Sequence, residues 1–464
     1  MQKNNEAQIT GILEPAAARR LFLAVMITSF IGPFAGSGIN VAVPALAHDF
    51  GANANELSRV VFGFLLGSAM FILPMGKVAD IWGRRRVYYV GLWLFAITFL
   101  AGAFSVSIEM LNGLRFVQGC IMSLIFGPGM ALLISSHPPS ERGRVIGYSA
   151  AATYSGLSLG PVVCGFLCEL VGWRSIFVVT GAVVLVSIWM MSGIRHEWYG
   201  DRGAGLDVKG SLCYMAAAPL LLWGLSEAAH GGAGAVLLAS GLCGMMLFIW
   251  LELRVQHPCL DIRLFKGNIV FSMSNLAAML HYSATFALSF LISLYLQVIM
   301  GFSASAAGMI ILLQPVVMAL LSPKAGALSD KIQPGKVASV GMAITAAGLL
   351  GMSFLTEVTP LWLVGGLLMW IGLGFALFSS PNNNAIMGSV APKYYGTASS
   401  FLAAMRLFGQ SISMAIVTLM LAVCQVQSLT GTDNAQLLYA IQVTFRVFCA
   451  LSFIGIGMSL ARNK

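Results

Sequence analysis

The sequence predicts an all-α integral membrane protein of fourteen transmembrane helices. These form two six-helix halves around an inserted helix pair, with both termini cytoplasmic. Three observations predict this. The 464 residues are 58% hydrophobic and only 9% charged, with a mean hydropathy of +0.86, where a soluble chain carries roughly 25% charged residues. The apolar residues fall into fourteen runs, each near the about 20 residues needed to cross a bilayer. Finally, Gly119, Pro128, Pro139 and Gly143 recur at one constant offset as Gly372, Pro381, Pro392 and Gly396, and the same offset carries Gly156 onto Gly409.

The runs begin near Leu21, Leu57, Val87, Met110, Gly143, Ser175, Gly210, Ala233, Ile269, Ser303, Val337, Leu361, Tyr395 and Gln436. Each is expected to be helical, because lipid offers no partner to an open backbone. Residues 1–20 read as a cytoplasmic segment ending in Arg19-Arg20. The run after them is too long for a signal sequence, so it is the first span. Residues 21–195 form the N-terminal half, 196–256 the inserted pair with its linkers, and 257–464 the C-terminal half. The run from Ile269 to Ile299 is long for one span and reads as a single tilted or kinked helix. Spans two to five match spans ten to thirteen, and the loop from Gly76 to Asp80 recurs from Gly326 to Asp330.

Charge supports the count. Of 26 lysines and arginines, only Arg59 and Arg174 fall on the outer side, and Arg115, Arg406 and Arg446 fall within spans. The rest lie in cytoplasmic segments, as the positive-inside rule requires of an even number of spans. That placement also turns the net charge of +9 away from nucleic acid. Most of the eight cysteines sit inside apolar runs without metal-ligand spacing. They read as small packing residues, and no metal site or cofactor is expected.

The stretch Gly76-Lys77-Val78-Ala79-Asp80-Ile81-Trp82-Gly83-Arg84-Arg85-Arg86 is the most distinctive loop. Its arginines hold it in the cytoplasm, its glycines permit a sharp turn, and Asp80 is placed to pair with an arginine or to cap a helix N-terminus. It resembles the loop signature G-x-L-x-D-R-x-G-R-[RK] of the major facilitator superfamily, with Val78 for Leu and Ile81 for Arg. Arg115, in Arg115-Phe116-Val117-Gln118-Gly119, resembles the R-x-x-Q-G motif of span four, which that family ties to proton transfer. Gly147, Gly156, Gly160, Pro161 and Gly165 resemble the antiporter motif of span five, with Cys164 for the usual glycine. Small residues on one face let another backbone approach closely, and Pro161 introduces a kink. Leu294-Tyr295-Leu296-Gln297, Gly301-Phe302-Ser303-Ala304, Gln314-Pro315 and Asp207-Val208-Lys209-Gly210 are similar to stretches of the fourteen-span drug:proton antiporter branch.

The resemblance implies the major facilitator fold and a secondary transporter in the inner cell membrane. It would export small amphipathic, drug-like compounds by alternating access with proton antiport, working as a monomer. The site lies between parallel six-span repeats. Candidate cavity groups are Asn40, Gln118, Tyr282, Tyr295, Gln297, Gln314, Asn382, Asn383, Arg406 and Gln410. One departure matters: span one carries Ala35 where the branch carries an acid, although Asn40 and Pro44 are kept. No carboxylate falls clearly in mid-span, and Arg115, Arg406 and Arg446 make the interior positive. Facilitated or anion-coupled movement of an organic anion is therefore the alternative. His281, the histidine well inside a span, is the coupling candidate beside Arg115, because histidine changes charge between pH 5 and 8. No metalloprotease or serine-hydrolase motif and no paired aspartates within spans point to an enzyme, so no catalytic residues are expected. A static pore fits the two-fold repeat poorly.

Overall fold

The computed structural model describes residues 14–52, 54–227, 232–424 and 434–462. Within them run fourteen helices long and apolar enough to cross a membrane. They are α1 (Pro15–Phe50), α2 (Ala54–Trp82), α3 (Arg84–Ala103), α4 (Ile108–Ser135), α5 (Arg142–Leu170), α6 (Arg174–Ser192), α7 (Val208–Glu227) and α8 (Gly232–Glu252). Then follow α9 (Ile269–Ile299), α10 (Ser305–Lys331), α11 (Pro334–Met352), α12 (Leu361–Gly388), α13 (Tyr395–Val423) and α14 (Asn434–Ala461).

The first helix starts earlier than Leu21. Pro15 is tolerated at its first position, where the missing N–H would be unbonded anyway, so Arg19 and Arg20 lie on the helix. The rest of the expected N-terminal segment, residues 1–13, lies outside the described residues, as do the expected outer loop at 425–433 and the C-terminal residues 463–464. Polar caps start other helices: Ser107 accepts from Met110 N (3.2 Å) and Asn268 from Phe271 N (2.9 Å). The long span α9 is interrupted at Phe286–Ala287 and ends in a π turn over Tyr295–Ile299. The interruption leaves the Ala287 N–H outside the helical ladder, and it donates to Ser413 Oγ of α13 at 3.1 Å.

Packing repeats with the sequence. Within the first half α1 lies against α5 and α6, α2 against α4, and α3 against α4 and α6. Adding eight to each number gives the pairs of the second half. Across the halves, α2 meets α13 and α5 meets α10, a reciprocal exchange. The inserted pair packs α7 on α8 and rests α7 on α2 and α13. Close approach depends on glycine. A side chain at Gly156 would strike the Phe30 carbonyl of α1, and one at the equivalent Gly409 would strike the Met279 carbonyl of α9.

Candidate functional site: a two-part gate and an aromatic cluster

The loop of three arginines marks one end of the bundle, here called the basic face. Asp80, near the end of α2, is buried there. Its Oδ1 accepts from Arg84 Nε (2.8 Å) and Gly396 N (3.2 Å), and its Oδ2 accepts from Thr397 N (2.9 Å) and Thr397 Oγ1 (3.0 Å). Asp80 thus caps the N-terminus of α13, where backbone N–H groups lack helical partners and the helix dipole favours an anion. Arg84 continues across with Nη2 to Pro392 O (2.7 Å) and Nη1 to Ser135 Oγ (3.0 Å). The mirror arrangement uses Asp330 of α10. Gly143 N donates to its Oδ1 (2.7 Å) and Arg144 N to its Oδ2 (2.9 Å), capping α5, with Asn384 Nδ2 at 3.3 Å. Each half supplies the carboxylate that caps the other half's helix, so this end is closed. Gly76 packs on Ser400 and the Gly396 carbonyl, with no room for a side chain.

The linker after α6 lies over this gate. Glu197 accepts from Arg85 N (2.7 Å) and Arg86 N (3.1 Å), capping α3. Gly83 makes the turn with φ 111°, a conformation that side chains resist. Burial pushes the Glu197 carboxyl above its usual range, while the N–H donors of Arg85, Trp198 and Arg86 oppose that. The Arg85 guanidinium sits 5.6 Å from the Tyr89 ring. Gly200 N (2.9 Å) and Asp201 N (3.0 Å) donate to Asp80 O, and Asp201 pairs with Lys77 at 3.2 Å.

The antiporter-motif residues divide between two neighbours. Gly147 faces the other half, where a side chain would lie 2.5 Å from Ser322 O of α10. Gly156 and Gly160 instead face α1 within their own half, the latter against the Phe34 carbonyl at 2.7 Å and Ser37. Of these motif glycines, Gly147 meets the other half. Gly165 has only Val41 Cγ1, at 3.6 Å, and Pro161 is internal to α5.

Between the halves lies a packed, buried aromatic cluster. The Tyr154 hydroxyl of α5 donates to Ser379 Oγ of α12 at 2.8 Å. The Phe375 ring meets Tyr154 edge-on at 5.7 Å and Tyr282 at 5.4 Å, and Met318 and Ala150 complete the cluster. Arg406 of α13 adds charge: its Nη2 donates to Asn383 Oδ1 (2.8 Å) and its guanidinium lies 5.5 Å from the Tyr282 ring. Among the described residues no carboxylate pairs with it. His281 is fully buried with its ring 4.1 Å from Phe378 and 4.7 Å from Phe375, and neither ring nitrogen meets a protein donor or acceptor. It is not tied to a neighbouring helix.

Several expected cavity groups lie elsewhere. Gln118 is buried in the first half, where its amide donates to Thr98 O (2.9 Å) and accepts from Arg115 (3.1 Å). Arg115 is buried beside it, donating to Val60 O (3.1 Å) and stacked 4.6 Å from Phe64, so it faces neither the cluster nor solvent. Tyr295 donates to Thr356 O (2.6 Å) inside the second half. Gln297 is exposed and bonds Ser293 (2.6 Å). Asn382 turns toward Ser274 O (3.1 Å) and Arg462. Gln410 lines a side groove with Phe62, Leu222 and Phe286. Gln314 is buried on α10 where Gly372 crosses its backbone. Asn40 is exposed on α1, and Arg446 is exposed on α14 and adds nothing to the interior charge. Tyr154, Phe375 and Ser379 were not among the expected residues. A signal existed: Tyr154 follows Gly147 by seven residues, hence on the same helix face.

Comparison with known proteins adds an independent line. The family model described as Major Facilitator Superfamily matches residues 25–414. The chain is 28% identical to the riboflavin transporter RibZ of Clostridioides difficile (strain 630), over 95% of this chain and 96% of that protein. It is 26% identical to the tetracenomycin C resistance and export protein of Streptomyces glaucescens, over 86% of this chain and 75% of that one. Its fold matches the crystal structure of the human organic anion transporter MFSD10 (TETRAN), with TM-score 0.67 and 15% identity, covering 96% of this chain and all of that one.

Proposed function

The chain belongs to the major facilitator superfamily, and from that membership we propose that it exports small amphipathic, drug-like compounds by alternating access in exchange for protons. The positive-inside rule supports a cytoplasmic basic face, and the proposed setting is the inner cell membrane, with the chain working as a monomer. The observation that carries the reading is the buried cluster of Tyr154, Tyr282, Phe375 and Arg406, drawn from both halves, which would open to cargo as the halves rock apart. Rings set edge to face, with one charged group, suit a flat aromatic compound. Relatives named for riboflavin transport and for tetracenomycin C export support such cargo.

The test is efflux of a panel of aromatic compounds from proteoliposomes, with and without an imposed pH gradient. Phe375→Ala should weaken apparent affinity about tenfold, since ring contacts contribute about 0.5–1.5 kcal/mol beyond area burial. Tyr154→Phe, which loses one hydrogen bond of about 1 kcal/mol, should cost several-fold. An unchanged KM in both would place the cargo elsewhere.

His281 is the proposed proton carrier, being buried and unbonded next to Phe375. In His281→Gln, transport driven by a pH gradient should disappear while substrate exchange persists. Parental pH-driven rates would remove His281 from the mechanism.

A second reading, facilitated or anion-coupled movement of an organic anion, is favoured by the unpaired Arg406 guanidinium and by Ala35. Arg406→Gln should then abolish transport of anionic compounds and spare neutral ones. Equal losses for both would reject it.

A further inference from the structure

Asp207 and Glu252 bracket the inserted pair at the basic face, one just before α7 and the other closing α8. Both are buried, at 7% and 2% exposure. Asp207 Oδ1 accepts from Gly210 N, and Glu252 Oε2 accepts from Leu260 N, each at 2.9 Å. One oxygen of each carboxyl is thereby engaged. The others, Asp207 Oδ2 and Glu252 Oε1, are shut away from solvent with no hydrogen-bond partner. Both face one spot over Gly210, where a side chain would strike the two of them. Ser211, the next residue along, is likewise buried, beside Cys259. The titratable groups around the pair are Lys77 on α2, Cys213 on α7 and Cys259 in the connection after α8. Burial, then the charge of Glu252, pushes the Cys259 thiol up, so it stays neutral.

Two carboxylates whose unsatisfied oxygens share one dry space repel, and the arrangement is relieved when one proton serves both. We propose that Asp207 and Glu252 form a proton-binding site, in which one proton taken from water bridges Asp207 Oδ2 and Glu252 Oε1. Uptake changes the pair from two negative charges to one, and release returns the proton to water. The site adjoins the gate. Lys77, whose charge acts on Glu252, stands three residues before Asp80 and holds Asp201, whose N–H donates to Asp80 O. Release of the proton adds a negative charge acting on Lys77, which draws it from Asp201 and loosens the linker over Asp80. Proton occupancy therefore sets how tightly the basic face closes, whatever compound is carried.

The test uses the full chain in lipid nanodiscs. Infrared spectra across pH follow the protonated carboxyl band, and hydrogen exchange follows the amides of Gly396 and Thr397. The parent should show a band that vanishes as pH rises, with exchange at both amides quickening over the same interval. Glu252→Gln, a neutral mimic of the protonated acid, should remove the band and hold exchange slow at every pH. Asp207→Asn should also remove the band, and either variant suffices if the other fails to fold. A band that survives both substitutions overturns the proposal. So does a titration that leaves exchange unchanged, or a band lost on adding sodium at fixed pH, which would make the site a metal-cation site.

Discussion

Asp80→Asn is expected to release the basic-face gate and cut transport at least tenfold, in a protein that still folds and reaches the membrane. The asparagine amide keeps one of the two oxygens that together accept four hydrogen bonds, and loses the charge. Two losses follow. The N-terminus of α13 forfeits an anion contributing about 0.3–1 kcal/mol, rising to about 2 where partly buried. More important, the Arg84 guanidinium, buried at 2% exposure, is left without its counter-ion. Breaking a buried pair from one side costs about 3–5 kcal/mol. Arg84 keeps Ser135 and Pro392, which limits the damage. A gate stabilised by a few kcal/mol shifts strongly at that cost, since about 1.4 kcal/mol is a tenfold change in population. Spin-label distances between the basic-face ends of α5 and α10 should lengthen, and adding Arg84→Gln should recover part of the lost rate by removing the stranded charge. Asp330→Asn should cost less, because Asp330 is only half-buried and, among the described residues, makes no ion pair with an arginine side chain. Unaltered distances in Asp80→Asn would mean that something other than these caps holds the face shut.

Gly160→Leu is expected to lower thermal stability and abolish transport through contact inside one half. The Phe34 carbonyl stands 2.7 Å from where the new side chain begins, so α1 must leave α5. Forcing methylenes into such a contact costs about 1–3 kcal/mol. Gly147→Leu should differ in kind. Its obstacle is the Ser322 carbonyl of α10, so the halves are held apart at the basic face while the N-terminal half stays intact. Gly165→Leu, with only Val41 near it, should melt and transport close to the parent. A melting curve beside a transport rate separates the three, and equal stability in Gly160→Leu and Gly165→Leu would contradict the packing described here.

The span count, the insertion and the two-fold repeat were legible because each rests on properties that survive without side-chain orientation: run length, composition and spacing. Asp80 was legible as a cap because it is an acid in a basic loop. Rotation of each helix about its axis was not. In lipid both faces of a helix are apolar, so hydropathy does not say which side faces the interior. Gln118, Tyr295, Asn382 and Gln410 therefore bond or pack elsewhere, although their residue types suit a cavity. Tyr154 was overlooked because it sits in a glycine-rich stretch that reads as pure packing. Asp207 was legible as part of a branch-like stretch and Glu252 as an acid at an inner span end, but their meeting over Gly210 depends on how the inserted pair folds back.

The exchanged caps also set an order of events while the chain is being made. Asp330 is synthesised 187 residues after Gly143, and Gly396 comes 316 residues after Asp80. At roughly 5–20 residues per second, the ends of α2 and α5 stay without their partners for on the order of ten seconds to a minute. The first six helices can settle on one another in that interval, but their basic ends cannot be locked. Until the second half emerges, Asp80 and the N–H groups that open α5 are thus without the partners they meet in the finished protein.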